Sequence, residues 1–243
     1  MKVVRYNIGL ILQQPLIYSR TGWMKTVLIT GTNKGIGLQL TKSYVLNGYR
    51  VIATCRNISK ELKSSGATII DGIDLTQTSS AEKLQKNIGN TKIDILINNA
   101  GAWCNDSINQ MNFEGMIRNF EINTIGTLRV VDALRSNLRN PSKIAIITSK
   151  MGSISDNSGG GRYGYRMSKA ALNVAGKSLS IDLKPNNISV AMIHPGWVQT
   201  DMGGENALIS ANESVTGTMK LISKMDLTNT GEFHNYDGEL ISW

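Results

Sequence analysis

The sequence predicts a single α/β domain, a doubly wound parallel sheet with helices on both faces. Runs rich in β-branched residues alternate with helical patterns from Met24 onward, which is the order of successive β-α-β units. These runs are continuously apolar instead of alternating, as expected of parallel strands that are buried on both faces. The chain has 243 residues, of which 41% are hydrophobic, so it is long enough for one such domain and its core.

The elements follow one another in the order that this fold requires. Strands are expected at Thr26–Thr30, Arg50–Cys55, Thr68–Gly72, Ile93–Asn98, Lys143–Thr148, Ile188–His194 and Phe233–Tyr236. Helices are expected between them at Ile36–Asn47, Ser80–Ile88, Phe113–Asn137 and Tyr165–Lys184. Two polar, glycine-rich stretches fit neither pattern and are predicted as loops, Ser153–Gly161 and Gly196–Ser214, the second of them covering a substrate.

The composition argues against several classes of function. The formal net charge is +8, but the lysines and arginines are scattered, so we expect a solvated basic surface and no nucleic-acid partner. No apolar run reaches the ~18 residues of a membrane helix, so we expect no membrane association. Cys55 and Cys104 are the only cysteines. They form neither a zinc pattern nor a disulfide framework, which predicts no metal site and a reducing, cytoplasmic location.

Residues 1–23 differ from the rest of the chain and are predicted to be an extension of uncertain role, ahead of a domain over residues 24–243. They contain Lys2, Arg5 and Arg20 but no acidic residue, and the apolar stretch Ile8–Leu12 is short for a secretory signal. One interpretation is a targeting segment. The other, which we favour, is that Met24 is the working start, because the first predicted strand follows it directly.

A glycine-rich turn follows the first predicted strand and opens the first helix. It reads Thr30-Gly31-Thr32-Asn33-Lys34-Gly35-Ile36-Gly37. Gly31 suits a tight turn, Gly35 the close approach of a pyrophosphate and Gly37 close packing of the helix, whose free N–H groups attract phosphate. The alternative is an ordinary surface turn, but the flanking strand and amphipathic helix favour a dinucleotide site.

Tyr165 and Lys169 are four residues apart on a predicted helix, so they share one face. A tyrosine is a poor acid at neutral pH, and a nearby cation lowers its pKa. Ser149 ends the preceding strand, where its hydroxyl can hold a substrate oxygen on which negative charge develops. Such a pair also occurs by chance on helix surfaces, but together with the glycine turn it predicts hydride and proton transfer to a carbonyl.

The second strand ends in Thr54-Cys55-Arg56, without an acidic residue. In this fold an acid at that place accepts hydrogen bonds from the ribose 2′-hydroxyl of NAD and repels a 2′-phosphate. Arg56 can instead bind a phosphate through charge-assisted hydrogen bonds, and Lys34 adds a second cation. The sequence therefore predicts NADPH over NADH. The alternative is that Arg56 is a solvated loop residue.

Further motifs follow in order along the chain: Asn98-Asn99-Ala100-Gly101, Glu121-Ile122-Asn123-Thr124, Ser149-x-x-Gly152, Tyr165-x-x-x-Lys169 and Pro195-Gly196. Together with the glycine turn they resemble the short-chain dehydrogenase/reductase family over nearly all of Met24–Trp243. Within that family, the stretch from His194 to Gly204 and the ending Asn235-Tyr236-Asp237-Gly238 are most similar to the C-factor and sniffer-type carbonyl reductases. The resemblance implies a Rossmann-type fold and an NADP-dependent oxidoreductase.

The resemblance also assigns roles by position. It implies that Tyr165 is the general acid, that Ser149 orients the carbonyl oxygen and that Lys169 lowers the pKa of the tyrosine and binds the nicotinamide ribose. Asn123 would hold a proton-relaying water. The implied cofactor-binding residues are Gly31, Asn33, Lys34, Gly35, Ile36, Gly37, Arg56, Asp74, Asn99, Ala100, Gly101, Tyr165, Lys169, Pro195, Gly196, Val198 and Thr200.

Some of these residues have a purely structural alternative. Asn99 could satisfy only the backbone at a strand end. Asn123 could be a kink residue inside a helix, and Thr200 could be only a helix cap.

The sequence thus predicts that the protein transfers a hydride from NADPH to the carbonyl carbon of an aldehyde or ketone. Two alternatives remain open, a dinucleotide-binding signalling protein without turnover and an NAD-dependent alcohol dehydrogenase. The insertion that precedes the tyrosine in monomeric carbonyl reductases is absent. Its absence leaves the surrounding helices free to form a homodimer or homotetramer, packed through the small residues Ala170, Ala171, Ala175 and Gly176.

Overall fold

The computed structural model describes residues 24–243, and the extension predicted over residues 1–23 lies outside them. Its strands are β1 (Thr26–Thr30), β2 (Arg50–Thr54), β3 (Thr68–Ile70), β4 (Ile93–Asn98), β5 (Leu138–Ile147), β6 (Ile188–His194) and β7 (Phe233–Asn235). They form one sheet of seven strands in the order β3-β2-β1-β4-β5-β6-β7. All neighbouring strands are parallel. The order reverses between β1 and β4, so the loops after these two strands diverge and leave a crevice at the carboxyl edge of the sheet.

Helices cover both faces of this sheet. They are α1 (Gly35–Leu46), α2 (Lys60–Lys63), α3 (Thr78–Ile88), α4 (Phe113–Phe120), α5 (Gly126–Leu134), α6 (Tyr163–Asp182) and α7 (Ala211–Lys224). Leu40 of α1 and Ile222 of α7 belong to the apolar core on one face. Leu84 of α3 and Leu172 of α6 belong to the core on the other face. The predicted doubly wound fold is therefore confirmed.

Helical residues extend without a break over the predicted range Phe113–Asn137, but not all of them are α-helical. A π-helical turn over Glu121–Ile125 separates α4 from α5. Within it, the amide of Asn123 donates to the Oγ of Ser168 at 2.9 Å, and the hydroxyl of Thr124 donates to the carbonyl of the same residue at 2.8 Å. Both consecutive side chains of this turn therefore bind Ser168 of α6.

The predicted loop over Gly196–Ser214 is also too long, because α7 begins within it at Ala211. The hydroxyl of Ser210 accepts a hydrogen bond from the N–H of Glu213 at 3.1 Å. A serine followed three residues later by a glutamate is a helix-start signal that the sequence carried. β5 also begins earlier than predicted, at Leu138, and the short helix α2 was missed. Of the helices in residues 24–243, none is both long and apolar enough to cross a membrane.

Candidate functional site

The turn after β1 is packed against the ends of β2 and β4. The N–H of Gly31 donates to the carbonyl of Thr54 at 2.9 Å. Gly31 has φ +69°, and a Cβ there would lie 2.7 Å from the Cα of Ala100, so no side chain fits. A Cβ at Gly37 would collide with the carbonyl oxygen of Gly31 and would lie 2.5 Å from the Nδ2 of Asn99. Both glycines are thus required by the packing of the turn.

Asn99 joins the ends of β1 and β4. Its side-chain amide donates to the carbonyls of Thr30 and Gly31 at 3.0 and 3.1 Å, and its own N–H donates to the hydroxyl of Thr30 at 3.0 Å. The neighbouring Asn98 is buried, and within residues 24–243 its side-chain amide has no hydrogen-bond partner. Asn99 therefore satisfies backbone groups at the strand ends, which was the structural alternative for this residue. It also lines the crevice.

A cavity of about 310 Å³ lies along the carboxyl edge, between the turn after β1 and the start of α6. The N-cap residue of α1, Lys34, makes no side-chain cap, so the N–H groups of the first turn are available at the cavity. The predicted cofactor residues that line it are Gly31, Asn33, Lys34, Gly35, Ile36, Gly37, Arg56, Asp74, Asn99, Ala100, Gly101, Tyr165, Lys169, Pro195 and Thr200.

Two predicted cofactor residues do not line this cavity, Gly196 and Val198. Val198 is buried. A Cβ at Gly196 would collide with the Cδ1 of Ile209 and would lie 3.2 Å from the ring of Tyr236. Their assignment to the cofactor stays a prediction.

Asp74, Arg56 and Arg118 share one end of the cavity. Burial works against ionisation of Asp74, but hydrogen bonds from Thr76 and the charges of Arg56 and Arg118 hold the pKa of this carboxyl below its usual value. The hydroxyl of Thr76 donates to Asp74 Oδ1 at 2.9 Å. This end of the cavity therefore combines two arginines with one carboxylate that prefers its charged form.

Tyr165 and Lys169 also line the cavity. Both side chains are buried, and so is that of Ser149. The Nζ of Lys169 lies 5.7 Å from the centroid of the Tyr165 ring and donates to the carbonyl of Ile147 at 3.0 Å. Ser149 lies close enough to Tyr165 to favour a lower pKa of the tyrosine, and the Oγ of Ser149 accepts from the N–H of Met151 at 3.1 Å. The structure thus brings the three predicted catalytic side chains together.

Burial is the largest influence on the pKa values of Tyr165 and Lys169. It raises the pKa of Tyr165 to about 12, although the nearby Ser149 works in the opposite direction. It also lowers the pKa of Lys169 to about 8. Loss of solvation disfavours the charged phenolate, which is why the pKa of Tyr165 lies above its ordinary value here. That Lys169 lowers the pKa of the tyrosine stays a prediction.

Asn123 lies in the π-helical turn and is completely buried. Its Oδ1 accepts from the N–H of Ala102 at 2.7 Å, and its Nδ2 donates to the carbonyl of Ala102 at 3.0 Å and to the Oγ of Ser168 at 2.9 Å. A Cβ at Gly101 would lie 3.4 Å from Asn123 Oδ1 and 3.7 Å from Lys169 Nζ. Asn123 therefore joins the loop after β4 to α6, directly beside Lys169.

The sequence profile described as short chain dehydrogenase matches residues 25–208. The chain belongs to this family. A 1-hydroxy-2-glutathionyl-2-methyl-3-butene dehydrogenase of Rhodococcus sp. (strain AD45) is 34% identical over 226 residues, which cover 90% of this chain and 100% of the relative. The C-signal protein of Myxococcus xanthus is 43% identical over 162 residues, which cover 65% of this chain and 96% of that protein.

Two solved structures of this family have the same fold. The carbonyl reductase Sniffer of D. melanogaster has a TM-score of 0.84 at 32% identity, covering 91% of this chain and 100% of that chain. An NADPH-bound carbonyl reductase from chicken fatty liver has a TM-score of 0.80 at 28% identity, covering 90% of this chain and 99% of that chain. The similarity to C-factor and sniffer-type proteins is thus confirmed, and the protein is an oxidoreductase of the short-chain dehydrogenase family.

Arg118 and Trp103 are among the residues at the site that the sequence prediction did not name. Arg118 of α4 reaches the cavity, and Trp103, in the loop after β4, packs against Tyr165 with ring centroids 4.6 Å apart. Neither belongs to a spaced motif. For the contact of Trp103 with Tyr165, the sequence offered only one signal, a tryptophan two residues after Gly101.

Proposed function

We propose that the protein reduces an aldehyde or ketone with NADPH and that Tyr165 donates the proton to the carbonyl oxygen. The observation that carries this proposal is the buried group of Ser149, Tyr165 and Lys169, of which Tyr165 and Lys169 line the crevice cavity. Membership of the short-chain dehydrogenase family and similarity to carbonyl reductases support the same reaction.

The residues of the crevice fit a nicotinamide dinucleotide. Gly31 and Gly37 leave no room for a Cβ, which keeps the turn close to the strand ends, and the uncapped first turn of α1 offers N–H groups to a pyrophosphate. When bound, the dinucleotide supplies the hydride. The chain supplies its binding, its orientation and the proton.

The two hydroxyls of Ser149 and Tyr165 would converge on the carbonyl oxygen. Ser149 Oγ would hold the oxygen as negative charge develops on it, and Tyr165 Oη would donate its proton. The phenolate left behind in this buried position requires a cation, which protonated Lys169 supplies. One of the three Nζ donors is used by Ile147, so two remain for ribose hydroxyls and for returning a proton.

Asn123 would act on the catalytic side chains mainly by holding the neighbouring segments in place. Its side-chain amide is used by Ala102 and Ser168, the residues that adjoin Gly101 and Lys169 in the chain. It therefore fixes the two segments between which the ammonium group of Lys169 lies. The relay of a proton through a water held by Asn123 stays a prediction.

We further propose that the protein prefers NADPH over NADH. Arg56 and Lys34 line the cavity, and no acidic residue ends β2. Arginine offers the planar fork that matches a phosphate. The chicken fatty liver carbonyl reductase, whose fold is similar, binds NADPH. These observations favour a 2′-phosphorylated cofactor over NADH.

We also propose that the protein forms a homodimer or homotetramer through α4 and α6. The predicted small-residue contact is wrong for Gly176, which lies beside Met192 of β6 and is buried. The exposed apolar side chains on these helices are instead Phe113, Ile117, Phe120, Met167, Val174 and Ile181. An apolar surface of this kind is suited to subunit contact. The cytoplasmic location stays a prediction.

The proposed reaction is tested by following NADPH absorbance with a panel of aldehydes, ketones and quinones. We expect at least one member of the panel to be reduced, and kcat/KM for that substrate to be higher with NADPH than with NADH. Binding of NADPH without turnover on any carbonyl would favour the signalling alternative. A preference for NAD and for alcohol oxidation would favour the alcohol dehydrogenase.

A further inference from the structure

Trp103 forms one wall beside the proposed proton donor. Its ring centroid lies 4.6 Å from that of Tyr165, and the two ring planes are inclined by 52°. Trp103 is half-buried and does not line the cofactor cavity. A compound whose carbonyl oxygen reaches the Tyr165 hydroxyl therefore lies next to the indole, which offers apolar area to a planar group.

Two further side chains hold this indole in place. The Oδ1 of Asn105 accepts hydrogen bonds from Trp103 Nε1 at 3.1 Å and from a terminal nitrogen of Arg162 at 3.2 Å. The guanidinium carbon of Arg162 lies 5.2 Å from the centroid of the Trp103 ring, within range of a cation–π interaction. Trp103, Asn105 and Arg162 thus form one connected unit, which we call the Trp103 cluster.

The backbone imposes the position of Arg162. It is the N-cap of α6 and has left-handed torsion angles, φ 55° and ψ 37°, which are unfavourable for a residue with a Cβ. The Oδ2 of the buried Asp106 accepts from the N–H of Gly164 at 2.9 Å. This hydrogen bond ties the start of α6 to the loop that carries Trp103. The backbone of Arg162 is therefore fixed beside this loop, and its exposed side chain contacts Asn105 and Trp103.

Arg162 retains unused hydrogen-bonding capacity. Its side chain is exposed and donates to Asn105, and within residues 24–243 no carboxylate forms an ion pair with it. A guanidinium has five N–H donors in a planar fork that matches a carboxylate. The donors that Asn105 does not use are therefore available to a ligand.

We propose that the Trp103 cluster is a substrate anion subsite, in which a planar group packs on Trp103 and a carboxylate binds Arg162. This inference rests on the proposed carbonyl reduction and names its substrate class, carbonyl compounds that carry a carboxylate beyond a rigid apolar spacer. The guanidinium carbon of Arg162 lies 5.2 Å, and the centroid of the Tyr165 ring 4.6 Å, from the centroid of the indole, so the spacer is about as long as one aromatic ring.

The test compares para-carboxybenzaldehyde with its methyl ester, which has the same ring and reacting group but no charge. Reduction is followed with NADPH, and we expect kcat/KM to be about fivefold or more higher for the acid, as for a partly exposed charge-assisted contact. Arg162→Met removes the charge and keeps a β-carbon at the left-handed position. It should remove the preference for the acid, so that kcat/KM becomes about equal for the acid and the ester.

Two further variants distinguish the loss of the Arg162 charge from a general loss of activity. Arg135→Met removes another exposed arginine, before β5 at the opposite edge of the sheet, and should keep the preference for the acid. Trp103→Phe keeps an aromatic ring but loses the bond to Asn105, and should raise KM for both compounds. Equal kcat/KM for acid and ester in the wild-type protein, or a preference that survives Arg162→Met, would overturn the inference.

Failure of the proposed reaction is distinguishable from failure of the subsite. If neither compound nor any other carbonyl is reduced, the proposed function fails. Binding of the acid by titration calorimetry then decides the subsite on its own. Weaker binding to Arg162→Met than to the wild-type protein would support the subsite, and unchanged binding would overturn it.

Discussion

Lys34 and Asp201 form an ion pair between the glycine turn and the loop after β6, with Nζ 2.8 Å from Oδ2. Both residues line the crevice cavity. Lys34 was predicted to contribute charge to a 2′-phosphate, but in this arrangement its charge is shared with a carboxylate. A phosphate that binds Lys34 therefore has to compete with Asp201.

Removing the carboxylate should free this cation for the cofactor. We expect Asp201→Asn to tighten NADPH binding by about two- to fivefold, a modest effect because both side chains are largely exposed and screened by solvent. NADH, which lacks the phosphate, should bind as before. Dissociation constants from fluorescence titration check this, with Lys34→Met as the matched control that should weaken NADPH. Equal tightening of both cofactors would contradict the competition.

Arg56 should distinguish the two cofactors more strongly. We expect Arg56→Ala to weaken NADPH relative to NADH by about 1.5–3 kcal/mol, the contribution of a hydrogen bond to a charged group. Steady-state kcat/KM with each cofactor on the same carbonyl substrate gives the comparison. An equal loss for both cofactors would show that Arg56 shapes the loop after β2 instead of binding the phosphate.

The protonation of Lys169 predicts the alkaline limb of the pH profile. Burial lowers its pKa to about 8, so the ammonium form is present below this pH and is lost above it. Because the phenolate of Tyr165 requires that cation, kcat/KM for reduction should fall by about tenfold per pH unit above pH ~8. The profile is measured with an aldehyde that has no titratable group. A flat profile up to pH ~10 would show that the charge of Lys169 is not needed.

The domain over residues 24–243 should function without the preceding extension. β1 begins at Thr26, and the glycine turn and α1 follow it directly, so a chain that starts at Met24 contains the whole first β-α unit. We expect its melting temperature and turnover to equal those of the full chain. A large loss of either quantity would show that residues 1–23 stabilise the domain.

The sequence predicted those parts of the site that rest on local spacing. Tyr165 and Lys169 share a helix face, and Gly31 and Gly37 lie at places where a Cβ would collide with backbone or a side-chain amide. These features follow from the period of a helix and from the geometry of one turn. They can therefore be recognised without knowing how distant segments pack.

Contacts between distant segments could not be predicted in this way. Lys34 and Asp201 are separated by 167 positions, and only the folded sheet brings the two loops together. The raised pKa of Tyr165 was missed for a related reason. Spacing reveals that a cation is near, but the degree of burial decides whether its charge outweighs the loss of solvation. The π-helical turn at Asn123 likewise depends on its contacts with α6.

The variant Tyr165→Phe tests most directly whether Tyr165 donates the proton in carbonyl reduction. This variant keeps the ring that packs against Trp103 and removes only the hydroxyl, so NADPH should bind as in the wild-type protein. The measurement is turnover at saturating NADPH on the best carbonyl substrate. We expect it to fall by about 10²–10⁴-fold, the usual contribution of a positioned general acid. Turnover close to the wild-type value, with NADPH still bound, would contradict the mechanism.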